Sequence, residues 1–149
     1  MPVRTETQLA DLLRTESRFL RSANLERDFR DPNVFSGYVV TDFARDCLNR
    51  MSEGLKSTSG QRAWRLTGDY GSGKSSFALL LAHWFAGHDR ILPRQAYSPS
   101  NGRQSPRSRR FIPALVTCSR QPLTTSILMA LRDALLQSTE RSSKSKLLV

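Results

Sequence analysis

One stretch of eight residues, Gly68 to Ser75, restricts this chain more than any other part of its sequence. It reads GDYGSGKS and fits the pattern G-x-x-x-x-G-K-[ST], in which a glycine-rich turn leads into a helix. The short run AWRLT precedes it and the apolar run SFALLLA follows it. Strand, turn and helix in this order direct the N–H groups of the turn and the helix dipole at one anion. The stretch therefore predicts a phosphate-binding loop, the Walker A pattern; we call Gly68–Ser76 the phosphate loop.

Each position of the phosphate loop has an expected task. Gly68, Gly71 and Gly73 let the backbone approach phosphate oxygens, where a Cβ would clash or a positive φ would be costly. Lys74 is expected to place its ammonium against the β- and γ-phosphates. The Ser75 hydroxyl is expected to ligate the Mg²⁺ that bridges the same two phosphates.

Asp69 and Tyr70 are the variable positions of the pattern, and the Asp69 carboxylate is expected to point away from a polyphosphate. ATP is favoured over GTP, because the sequence has no Asn/Thr-Lys-x-Asp motif for reading guanine. No catalytic residue is predicted, and Ser75 is the one predicted metal ligand. The predicted nucleotide-binding residues are Gly68, Asp69, Tyr70, Gly71, Ser72, Gly73, Lys74, Ser75 and Ser76.

Length and composition predict one soluble domain. The chain has 149 residues, of which 24% are charged and 38% hydrophobic. No apolar run approaches the ~20 residues of a membrane span, and the polar start predicts no signal peptide. Cys47 and Cys118 are expected to be reduced, buried thiols of a cytoplasmic protein. His83 and His88 are five residues apart, which predicts different helix faces and argues against a metal site between them.

Two short apolar runs, Ala63–Thr67 and Phe111–Cys118, are predicted strands. An amphipathic helix is predicted at Thr5–Ser22, and further helices are predicted after the N-cap Thr41 and after Pro122. A helix at Gly73–Ala86 is apolar on nearly every side, which predicts that it is covered on several faces. This order predicts the α/β class: a partial P-loop three-layer fold of a few parallel strands flanked by helices, with an N-terminal helical extension. The predicted domains are an extension at 1–36 and a truncated nucleotide-binding domain at 37–149, and the tail Glu140–Lys146 is expected to be frayed.

The segment Arg90–Arg110, which we call the arginine loop, is basic, rich in proline and serine, and contains no acid after Arg90. Such a sequence predicts a mobile loop. The net charge of the chain is +10, which favours a polyanionic partner or an acidic protein partner. Nucleic acid is one such partner, contacted through the distal arginines of the loop, which are Arg103, Arg107, Arg109 and Arg110.

One component of a nucleoside triphosphatase is missing from the sequence. Such enzymes use an apolar strand ending in Asp to hold Mg²⁺ and position water. The second predicted strand ends in TCSR, without a carboxylate, and no later apolar strand supplies one. We therefore expect a fragment of a longer ATPase, or a shortened form that binds without turnover.

The stretch RAWRLTG through Ala82 resembles the Walker A region of bacterial ATPases of the broad AAA+ type. It is most similar to the large ATP-binding proteins of DNA-modification and phage-defence systems. The segments LERDF at 25–29 and FSGY at 35–38 are also similar to that group, and the resemblance covers about residues 24 to 137. It implies ATP and Mg²⁺ as ligands, an oligomer or a partner subunit, and Gly37, Tyr38 and Val39 as residues that flank the adenine.

Three functions remain open from the sequence alone. The leading one is ATP binding, with ATPase activity only if a missing segment or a partner supplies the acid. The second is a P-loop kinase acting on a small molecule, with the arginine loop as its lid. The third is a basic nucleic-acid-binding adaptor, which would bind nucleic acid without nucleotide and in a salt-dependent manner.

Overall fold

A computed structural model of the chain describes residues 22–55, 58, 60–97, 111–117 and 120–146. Within these ranges the backbone forms α-helices joined by turns and extended segments, and no residue belongs to a β-strand. The helices are α1 (Leu25–Asp28), α2 (Asp42–Gly54), α3 (Lys74–Ala86), a 3₁₀ turn (Arg94–Ala96) and α4 (Leu123–Lys146).

The predicted α/β class is therefore wrong for the described part of the chain. Ala63–Thr67 is exposed and belongs to no helix or strand, with no backbone ladder bond to another described residue. The segment 111–117 is bonded through its backbone at its two ends. There, Phe111 N–H donates to the Phe85 carbonyl (3.0 Å) and Thr117 N–H to Glu26 Oε1 (3.0 Å). The prediction rested on the composition of each run, which is a local property. A strand also requires hydrogen bonds to a neighbouring strand, which the composition does not supply.

The predicted helix boundaries in the middle of the chain are confirmed. Thr41 is the N-cap of α2, and its side-chain oxygen accepts a hydrogen bond from Ala44 N–H (3.2 Å). Helix α3 ends where Gly87 adopts a left-handed conformation with φ 69°. The last helix is also confirmed but longer than predicted: α4 continues through Glu140–Lys146, where fraying was expected. The predicted helix Thr5–Ser22 lies outside the described residues except for Ser22, which is not helical.

The core lies between α2, α3 and the chain that precedes α2. Leu48 of α2 and Leu80 of α3 are fully buried, and Phe29, Val34 and Phe35 pack in the same cluster. One polar bond ties α3 to α2: the Trp84 indole N–H donates to Ser52 Oγ (3.1 Å). Ser52 Oγ in turn donates to the Leu48 carbonyl within α2 (2.8 Å). This core fixes the start of α3 against the segment 22–38.

The prediction that His83 and His88 lie on different faces is wrong. Their Nδ1 atoms are 2.9 Å apart, so one ring donates a hydrogen bond to the other. Helical periodicity does not reach His88, because the helix ends at Gly87 and the chain turns back. His88 N–H donates to the His83 carbonyl (3.1 Å), and both rings pack on Phe29.

Candidate nucleotide-binding site

The phosphate loop forms an exposed turn that leads directly into α3. Gly71 and Gly73 have φ values of 82° and 79°, in the left-handed region that favours glycine. Nothing lies within 4 Å of a Cβ built at either position, so the space above the turn is open. Glycine is therefore favoured there by its backbone conformation and not by lack of space. Gly73 is the N-cap of α3 and provides no side-chain cap, which leaves the N–H groups of the first turn available to an external acceptor.

Lys74 is the cation of the loop. Its Nζ donates to the carbonyl oxygens of Gly68 (2.9 Å) and Asp69 (2.6 Å) and lies 3.3 Å from Ser72 Oγ. These bonds fold the side chain back over the turn and hold the ammonium at the start of the helix. Positive charge from Lys74 and from the helix N-terminus therefore coincides at one place.

The other predicted loop residues are mostly exposed. Asp69, Ser72 and Ser75 are exposed, Ser76 is half-buried, and Tyr70 is 95% exposed. The Tyr70 hydroxyl lies 3.4 Å from Ser22 Oγ, which links the loop to the opposite segment. The first turn of α3 carries no acidic residue that would repel an anion.

A cavity of about 660 Å³, which we call the loop cavity, lies between the phosphate loop and the segment 22–38. One side is formed by the loop and the first turns of α3: Tyr70, Gly71, Gly73, Lys74, Ser75, Ser76 and Leu79. The other side is formed by Ser22, Ala23, Asp28, Asp31, Val34, Phe35 and Tyr38. Small-molecule sites have volumes of roughly 300–1,000 Å³, so the size suits a nucleotide.

The wall opposite the loop is partly aromatic. The rings of Phe35 and Tyr38 have centroids 5.8 Å apart, with the Tyr38 ring half-buried. Burial raises the pKa of the Tyr38 hydroxyl above its usual value. Of the three residues expected to flank an adenine, Tyr38 lines the cavity; Gly37 and Val39 do not, and Val39 is 69% exposed.

Two carboxylates on this wall were missed from the sequence. Asp28 is buried and accepts hydrogen bonds from Asn24 N–H (2.8 Å) and from Arg27 Nε (2.8 Å). Asp31 Oδ1 accepts from Asn33 N–H (2.9 Å). A second acid was expected at the end of a strand, and nothing in the local sequence around 28–31 connects these residues to a loop some 40 positions later. Among the described residues, no three His, Cys, Asp or Glu side chains form a group that could hold a metal ion.

Other predicted features are only partly within the described ranges. Arg90 and Arg94 are exposed, whereas the distal arginines and Cys118 lie outside the described residues. Cys47, expected to be buried, is half-buried with a free thiol.

Comparison of the chain with protein-family models, with curated proteins and with solved structures found no match. None of the described helices combines the length and apolar character needed to cross a bilayer.

Proposed function

We propose that this chain binds ATP, as its Mg²⁺ complex, in the loop cavity. The observation that carries the proposal is that one side of the loop cavity is polar and positively charged while the other side is partly aromatic. A glycine turn with Lys74 and the N-terminus of α3 forms one end, and Phe35 and Tyr38 form the other. Phosphate requires the first kind of surface and a nucleobase the second.

At the polar end, the chain's own groups would bind a polyphosphate. Lys74 Nζ is bonded to two loop carbonyls, which are neutral acceptors, and a phosphate oxygen is a stronger acceptor for an ammonium. The open space above Gly71 and Gly73 would admit the anion next to backbone N–H groups. Magnesium, when bound, would neutralise phosphate charge, and the exposed Ser75 hydroxyl is the loop group that would hold it.

At the apolar end, Tyr38 and Phe35 would contact the base. An aromatic ring stacks on any base, so this wall supports nucleotide binding in general. The preference for ATP rests on the sequence, which has no guanine-reading motif. We also propose a cytoplasmic location, because the free thiol of Cys47 suits a reducing compartment.

Calorimetric titration with Mg-ATP tests the proposal, with Lys74→Ala and Ser75→Ala as the variants. A hydrogen bond from a charged group contributes about 1.5–3 kcal/mol, so Lys74→Ala is expected to weaken binding severely, by about tenfold to a hundredfold. Ser75→Ala is expected to lower the dependence of affinity on Mg²⁺ instead. Arg120→Ala, which removes an equal charge at an exposed site outside the cavity, is the control. Unchanged affinity in Lys74→Ala would refute the proposal.

A further inference from the structure

The longest of the described helices, α4, exposes its large apolar side chains. One side of the helix lines an open groove against the segment 113–117 and is formed by Ser126, Met129 (itself 46% exposed), Ala130, Asp133, Ala134 and Gln137. The residues on the other side are between 41% and 62% exposed, and we call them the outer stripe: Ile127, Leu128, Leu131, Leu135 and Leu136. Exposed aliphatic residues occur singly on most surfaces, but five in one contiguous stripe indicate a contact surface.

The spacing of the outer stripe identifies the shape of what would cover it. Leu128, Leu131 and Leu135 follow one another at intervals of three and four residues, which forms a straight seam along a helix. Such a seam matches the apolar face of a second helix packed nearly parallel or antiparallel to it. A flat or irregular partner would leave one end of the seam uncovered.

One charged residue lies within the stripe. Arg132 is four positions from both Leu128 and Leu136 and is therefore on the same side of the helix. Its side chain is 67% exposed, and two of its five N–H donors bond to Asp133 Oδ1 (3.0 and 2.9 Å). The remaining donors suit a carboxylate on the partner helix.

We propose that the outer stripe docks an amphipathic helix with an acidic rim, supplied by another polypeptide. Charge decides between this partner and a second copy of the chain. Each copy carries a net charge of +10, and an antiparallel pair centred on the stripe would bring the two Arg132 side chains together. An acidic helix, in contrast, is attracted both by the positive net charge of the chain and by the Arg132 side chain.

A membrane surface is a less suitable occupant. Helices that lie on anionic bilayers carry many Lys and Arg on the polar face and aromatic anchors on the apolar face. Residues 123–139 of α4 contain one basic residue, Arg132, and no aromatic residue.

The test uses the full chain and two synthetic peptides of about three heptads, both with Leu at a and d. One peptide has Glu at every e and g position and the other has Lys. In fluorescence anisotropy the Glu peptide is expected to bind at least about tenfold more tightly than the Lys peptide. The double variant Leu131→Ser, Leu135→Ser is expected to lose at least about tenfold in affinity. Both positions are exposed, so folding should be preserved.

Two further variants sharpen the result. Leu123→Ser, on the same helix but outside the stripe and 66% exposed, is expected to bind like the original chain. Arg132→Glu is expected to reduce the preference for the Glu peptide, because it reverses the local charge while the net charge of the chain stays positive. Equal binding of both peptides, binding of neither, or a loss in Leu123→Ser as large as in the double variant would overturn the proposal. Self-association in sedimentation, or binding to phosphatidylserine vesicles, that the double variant abolishes would overturn it in favour of the other occupant.

Discussion

Replacing Gly54 by alanine tests how closely α2 packs against the segment that leads into the phosphate loop. Gly54 is buried at the end of α2, and a Cβ built there overlaps the carbonyl oxygen of Gln61. It also lies 3.3 Å from Cζ2 of Trp64. Because the overlapping atom belongs to the backbone, the entire segment must shift to make room.

The sign of the effect is unusual, which makes the test informative. In a helix, Gly→Ala ordinarily stabilises by roughly 0.5–1 kcal/mol. Overpacking of a close contact costs about 1–3 kcal/mol. The second effect is the larger one, so Gly54→Ala is expected to lower the free energy of unfolding by about 1 kcal/mol.

Gly60 provides the matched control within the same connection. No atom lies within 4 Å of a Cβ built there, and its φ is not in the left-handed region. Gly60→Ala is therefore expected to be neutral or to stabilise by up to about 1 kcal/mol, through the unfolded chain. Urea denaturation followed by tryptophan fluorescence measures both variants. If Gly54→Ala were as stable as the original chain, the close packing of α2 on Gln61 would be wrong.

Two other predictions concern charge. Burial raises the pKa of Tyr38, so its contribution to stability is complete below pH 10 and is lost as the pH rises through the raised pKa. When urea melts at about pH 9 and pH 11 are compared, the free energy of unfolding should therefore fall less in Tyr38→Phe than in the original chain. If the distal arginines contact duplex DNA, affinity should fall with salt at a slope of about −0.9 per phosphate contact, and changing all four to serine should flatten that slope while ATP binding persists. No DNA binding at low salt, measured by fluorescence anisotropy, would eliminate the adaptor function.

The features that the sequence predicted correctly are those determined by neighbouring residues. Thr41 caps α2, and Gly87 ends α3, because a cap bond and a left-handed turn need only a few adjacent positions. The two predicted strands failed because pairing depends on a distant partner. The contact between His83 and His88 was missed for a related reason. The prediction assumed that helical periodicity continues to His88, but the turn at Gly87 ends the helix.

The candidate site divides in the same way. The phosphate loop could be predicted from the sequence because its residues are contiguous, and Gly71 and Gly73 adopt the left-handed conformation that such a turn needs. The binding tasks of its residues stay predictions. The opposite wall could not be predicted: Asp28 and Asp31 reach the loop cavity through the burial of Phe29 and Phe35 against α3. Periodicity identified α4 as a helix but did not indicate that its leucines would be exposed. Their exposure depends on which side of the helix packs against the segment 111–117.

Hydrolysis of ATP is expected to be negligible, because charge neutralisation and positioning supply almost all of the catalysis in phosphoryl transfer. The described residues bring two carboxylates to the loop cavity, but Asp28 accepts from Asn24 and Arg27 on its own side of the cavity. Asp31 Oδ1 is engaged by the backbone of Asn33. Neither arrangement directs an acid at Lys74 or Ser75 as the reaction would need.

A phosphate-release assay on the purified chain, with Lys74→Ala and Asp31→Asn as variants, measures this directly. Turnover is expected to stay well below ~1 s⁻¹, the lower end for enzymes that transfer phosphoryl groups efficiently. Turnover at or above that rate, abolished in Lys74→Ala, would mean that a catalytic carboxylate acts in the loop cavity. Asp31→Asn then shows which of the two carboxylates, Asp28 or Asp31, is the catalytic one. Equal loss in Asp31→Asn would assign the role to Asp31, whereas full activity in that variant would leave Asp28, whose bonds to Asn24 and Arg27 would have to break during the reaction.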